Sequence, residues 1–116
     1  MENLQNTHID IPMDMYQSAT EILIIIPLWW ITKESIKIIL LENKLIISGN
    51  RVSPVLNEKY VVIHDQCFWG GFEKKIDLPQ SVYFDKIYSE LSPDNVLSIV
   101  VPKLIIPEQV PVVIKL

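Results

Sequence analysis

The stretch Val96-Leu97-Ser98-Ile99-Val100-Val101-Pro102-Lys103 decides the fold of this chain. It is short, rich in β-branched side chains and closed by a proline, so it reads as a buried strand that ends at Pro102-Lys103. The tail behind it, Leu104 to Leu116, is apolar and punctuated by Pro107 and Pro111. Those prolines exclude a helix and make a poor central strand, because each removes a backbone donor. An ordinary solvated terminus is excluded too, since Val110, Val112, Val113, Ile114 and Leu116 would stand in water. The tail needs an apolar groove, which directs attention to binding surfaces.

Composition agrees with a strand-based domain. A chain of 116 residues is one domain with a single modest core, and a hydrophobic content of 49% excludes general disorder. Ile, Val and Leu dominate, and Ala19 is the only alanine, a bias that favours pleated sheets over helices. The formal net charge is −4, Arg51 is the only arginine, and Lys74-Lys75 is the longest basic run. Phosphate recognition needs clustered basic side chains, so nucleic acid is not an expected partner. Cys67 is alone, which rules out an intramolecular disulfide and gives no sign of an oxidising compartment. Met1-Glu2-Asn3 has neither the basic start nor the apolar core of a signal peptide. The most hydrophobic run, Ile22 to Ile31, is too short to cross a bilayer and is broken by Pro27. A cytoplasmic protein with no membrane partner is expected.

Along the chain, residues 1–11 read as a short flexible arm. Strands are expected at Asp14–Gln17, Glu21–Ile26, Ile36–Leu41 and Leu45–Ser48, the last two joined by the turn chemistry of Glu42-Asn43-Lys44. Ile36, Ile38 and Leu40 share one face of their strand, with Ile39 and Leu41 on the other. Val52 to Glu58 is a long loop, and Lys59–Phe68 reads as a further strand. Gly70-Gly71 marks a bend, Phe72–Leu78 alternates, Lys86–Leu91 is a short strand, and Pro93-Asp94-Asn95 turns into the closing strand, with Asn95 suited to a left-handed position. Many short strands with short turns and no helical crossovers indicate an all-β, immunoglobulin-like antiparallel β-sandwich.

Little in the sequence points to catalysis. His8 lies in the arm, and alternation puts His64 and Cys67 on opposite faces of a regular strand. No phosphate-cradling glycine loop or pair of His or Cys residues at metal-ligand spacing is written, so neither an enzyme nor a cofactor or metal is expected. Trp29 and Trp30 form either a binding platform or a loop-and-edge packing pair.

Four blocks, taken in order, resemble the α-crystallin domain of the small heat shock proteins over about residues 11–103. Pro12-Met13-Asp14-Met15-Tyr16 is similar to the family's opening block. Glu34-Ser35-Ile36-Lys37-Ile38 with Leu45-Ile46-Ile47-Ser48-Gly49-Asn50-Arg51 resembles its second, Gly71-Phe72 with Ile76-Asp77-Leu78-Pro79 its third, and Val96 to Lys103 its fourth. Pro27-Leu28-Trp29 stands where the family usually has Leu-Pro-Gly, and Asn95 replaces the glycine before the closing strand.

The resemblance implies an ATP-independent chaperone that holds partly unfolded client proteins and keeps them from aggregating. It divides the chain into an arm (1–11), an α-crystallin-like sandwich (12–103) and a C-terminal extension (104–116) with the anchor Val110-Pro111-Val112, continued by Ile114. It implies a partner groove between Ile36–Leu41 and Lys86–Leu91, with Ile39, Leu41, Leu91, Trp29 and Trp30 as groove or client surface; burial under a neighbouring loop is the alternative for Ile39 and Leu41. It also implies a self-associated, strand-swapped dimer carried by Tyr60, Val61, Val62 and Ile63, and allows a larger oligomer. A co-chaperone or adaptor with the related CS-type sandwich, binding one folded partner, is the alternative; a family member with a specialised structural role is another.

Overall fold

The computed structural model describes residues 10–105 and 112–116. Among these, seven strands form two antiparallel sheets. The first sheet has the order β1-β2-β7-β6, built from β1 (Asp14–Gln17), β2 (Glu21–Pro27), β7 (Val96–Pro102) and β6 (Tyr88–Leu91). The second has the order β3-β4-β5, from β3 (Lys37–Leu41), β4 (Lys44–Arg51) and β5 (Gly70–Asp77). One-turn 3-10 segments, Lys33–Ser35 and Phe84–Lys86, precede β3 and β6.

Alternation along β2, β4, β5 and β7 builds the core. Ile22, Ile24 and Ile26 of β2 meet Leu97, Ile99 and Val101 of β7 on one side of the sandwich. Leu45, Ile47, Phe72 and Ile76 supply the other side, and Ile11, Leu28, Ile31 and Leu78 close the ends. The closing stretch is thus the partner of β2 over the whole of both strands, from Glu21↔Pro102 to Pro27↔Val96. No polar or charged residue is buried among the described residues, so burial of branched aliphatic surface holds the sandwich.

Local chemistry fixes the turns. β3 and β4 pair up to Leu41↔Lys44, which leaves a two-residue connection with Glu42 at φ 49° and Asn43 at φ 63°. Positive φ at both central residues matches the right-handed twist of a hairpin. The Asn43 amide donates to the carbonyls of Leu78 and Gln80 (3.2 and 3.3 Å), pinning this turn to the end of β5. Asn95 adopts φ 63°, the left-handed position expected of it. Gly49 is required by packing: a Cβ there would lie 2.7 Å from Phe72 Cε1 and 3.0 Å from Ile31 Cγ2. Lys103 extends its ammonium to the β1–β2 hairpin, donating to Gln17 Oε1 (2.9 Å) and the Ser18 carbonyl (2.7 Å).

A sandwich of two open sheets has four edges: β1, β6, β3 and β5. The β5 edge is guarded, because Lys74 points inward with its side chain mostly covered and pairs with Asp10 at 3.2 Å. Glu73, Lys75 and Asp77 alternate with it, which disfavours pairing with another chain.

Candidate functional site

The edges β3 and β6 face one another across the open side of the sandwich. Between them lie two adjoining cavities that share Ile38 and Ser89. One, of about 310 Å³, is floored by Leu40, Leu45 and Ile99 and rimmed by Phe84 and Tyr88. The other, of about 370 Å³, is lined by Ile36, Leu91 and Leu97, with Lys33 at its mouth. Side chains two apart on an extended segment are spaced about 7 Å and point the same way, so a strand laid along this groove presents alternate residues to it. The side chains that line it are mostly apolar, so the groove offers shape and apolar contact to such a strand.

Leu91 lines this groove. Ile39 and Leu41 do not: Ile38 and Leu40 take the inward positions of β3, so parity turns Ile39 and Leu41 to the outer face, where both are exposed. They are not covered by a neighbouring loop either. Phe84 and Tyr88 were not foreseen as its rim; both are exposed aromatics brought there by the 3-10 turn that precedes β6.

Trp29 and Trp30 stand apart from the groove, on a turn closed by the Ile31 N–H donating to the Leu28 carbonyl (3.3 Å). Both are exposed, and Trp30 sits at φ 64°. Trp30 lines a separate, mainly apolar cleft of about 540 Å³ with Ile31, Val52, Pro54, Cys67 and Trp69.

The strand expected at Lys59–Phe68 is absent from the single chain. β4 and β5 pair directly from Lys44↔Asp77 to Arg51↔Gly70, and residues 52–69 leave the sheet between them as an excursion that pairs with none of the described strands. A turn at Asn57–Tyr60 closes its tip, with the Tyr60 N–H donating to the Asn57 carbonyl (3.0 Å). Tyr60, Val61, Val62 and Ile63 are all exposed, as are Val55 and Leu56. In the tail, Val112 and Ile114 are exposed and form no strand, while Val110 and Pro111 lie outside the described residues, as do His8 and most of the 1–11 arm. His64 and Cys67 are exposed on the loop.

Among the described residues no group of three His, Cys, Asp or Glu side chains is gathered for a metal, and no helix is long and apolar enough to cross a membrane.

A family model described as "Hsp20/alpha crystallin family" matches residues 14–115. No curated protein sequence matches the chain. Its fold is similar to that of heat shock protein 16.0 from Schizosaccharomyces pombe, with a TM-score of 0.78 and 22% identity over 97% of this chain and 80% of that one. A small heat-shock protein from Xylella fastidiosa is similar with a TM-score of 0.71 and 24% identity over 91% and 98% of the two chains. HSP18.5 from E. histolytica follows, with a TM-score of 0.70 and 21% identity over 90% and 97%.

Proposed function

The chain belongs to the Hsp20/alpha crystallin family of small heat shock proteins, which gives it a chaperone role, and from that premise we propose that it is an ATP-independent holdase acting in the cytoplasm. In this reading it captures partly unfolded proteins by their exposed apolar segments and strand edges. The observation that carries the reading is the amount of apolar surface left uncovered beside open edges: the β3–β6 groove, the 52–69 loop and the tail. Surface of this kind is self-complementary and complementary to unfolding clients.

Three parts divide the work: an arm at 1–11, the sandwich at 12–103 and the extension at 104–116. Two copies exchange their 52–69 loops, and Tyr60–Ile63 becomes a strand when it meets a free edge of the partner. The β5 edge is guarded by charge and the β3 and β6 edges flank the groove, which favours β1 as the receiving edge. Val110, Val112 and Ile114 alternate along an extended tail and enter the β3–β6 groove of a neighbouring copy, with Pro111 stiffening the segment.

The test is aggregation of a heat-labile client followed by light scattering, with and without ATP. Suppression by a near-stoichiometric amount of the chain, unchanged by ATP, is expected. Unaltered scattering at a stoichiometric excess would remove the holdase reading.

A further inference from the structure

Trp30 occupies a backbone position that large side chains rarely adopt. With φ 64° at the third place of a tight turn it stands where glycine is the unstrained choice, and it is 73% exposed. Among the described residues none compensates for that strain by burying the indole. A strained, exposed aromatic side chain directs attention to what it faces.

It faces the 540 Å³ cleft, whose other walls are Val52 and Pro54, at the departing root of the 52–69 loop, and Cys67 and Trp69, at the returning root. These residues are far apart in sequence and are assembled by the Ile31–Arg51 bridge and the Arg51↔Gly70 pair. The cleft is therefore built at the point where the loop leaves the sandwich. In a reciprocal exchange of loops that point lies beside the partner, because each copy's loop crosses to the other about a two-fold axis.

The loop supplies matching material. Val55 is 99% and Ile63 96% exposed, and Tyr60, Val61, Val62 and Ile63 are consecutive. Four successive apolar residues on a strand present an apolar pair to each face, so a strand that buries one pair leaves the other uncovered. Residues 52–69 also approach the roughly 20–30 residues per side that a stable interface uses. Among the described residues, Arg51 Nε at this same root is a buried donor without an acceptor, a sign that the root is unfinished in the single chain.

We propose that the Trp30–Trp69 cleft is a docking pocket for an apolar side chain from the 60–63 run of a second copy, with Trp30 as its anchoring wall. This rests on the exchanged-dimer reading. It adds to that dimer a contact made by a tryptophan where the turn itself asks for glycine.

Sedimentation velocity on the full chain, together with alkylation of Cys67 by a bulky maleimide, tests it. Cys67 is the only cysteine and lines the cleft, so its reactivity reports occupancy. Alkylation is expected to slow about tenfold or more as the wild type passes from monomer to dimer. Trp30→Gly should keep the folded monomer, weaken dimerisation by about tenfold or more, and leave Cys67 reactive when concentration forces the dimer. A wild-type dimer with Cys67 as reactive as in the monomer overturns the pocket and leaves the exchange reading standing. A wild type that stays monomeric overturns both. Protection that appears only when an unfolding client is added makes the cleft a client site and also overturns the inference.

Discussion

At the scale of single residues, three backbone positions show how the motifs act. Gly49 is glycine because Phe72 and Ile31 fill the space of its side chain, so Gly49→Ala should cost about 1–3 kcal/mol in chemical denaturation. Asn95 accepts a left-handed conformation that glycine would hold without strain, and the polar side chain makes that substitution cheap. Trp30 is the opposite case. Its strain is worth about 1–3 kcal/mol, while glycine loses about 0.5–1 kcal/mol more chain entropy on folding. Trp30→Gly should therefore leave monomer stability unchanged or raise it by about 1 kcal/mol, measured by denaturation below the dimerisation concentration. A clear loss of monomer stability would mean that the indole packs in its own chain. Lys103→Met removes two charge-assisted hydrogen bonds to the β1–β2 hairpin and should cost about 1 kcal/mol in the same measurement.

At the scale of elements, the strands were legible where one face is apolar and the other polar or where a proline ends the run. Val96–Val101, Glu21–Ile26 and Asp14–Gln17 lie within a residue of their observed limits because burial, β-branching and turn chemistry agree there. Lys86–Leu91 begins late, as its first residue belongs to a 3-10 turn. β3 was harder. Ile38, Ile39, Leu40 and Leu41 are all apolar, so alternation gives two faces without saying which one meets the core, and Ile39 and Leu41 fall outside. The 52–69 segment was legible in composition but not in state: its residues favour strands, yet a strand exists only with a partner ladder, and β4 is paired on both sides while the free edge of β5 is guarded by charge. The Trp30–Trp69 cleft left no sequence signal, since only the Ile31–Arg51 bridge and the register of β4 and β5 bring its walls together. If the groove takes the tail by alternate side chains, Val112→Asp should lower assembly mass without altering the melting temperature. The fold sits in the core, and residue 112 is exposed outside it.

At the scale of the whole molecule, the single chain is well packed inside and incomplete outside. Its core is aliphatic apart from Phe72, while the groove, the loop and the exposed part of the tail leave apolar side chains in water. In the proposed assembly, copies of the same chain carry the complementary parts, and association covers surface that folding alone does not. Removal of the 55–66 segment should give a folded monomer, because the Arg51↔Gly70 pair already closes the sheet without it. Circular dichroism and sedimentation together would check that. Deletion of Ile105–Leu116 should retain the loop exchange and stop at dimers. The most direct measurement is the solution mass of the intact chain by multi-angle light scattering at micromolar concentration, with the tail deletion alongside. The account predicts an intact assembly of even multiples of the 13.4 kDa chain and a tail-deleted form at two chains. An intact protein that elutes at the mass of one chain would contradict it.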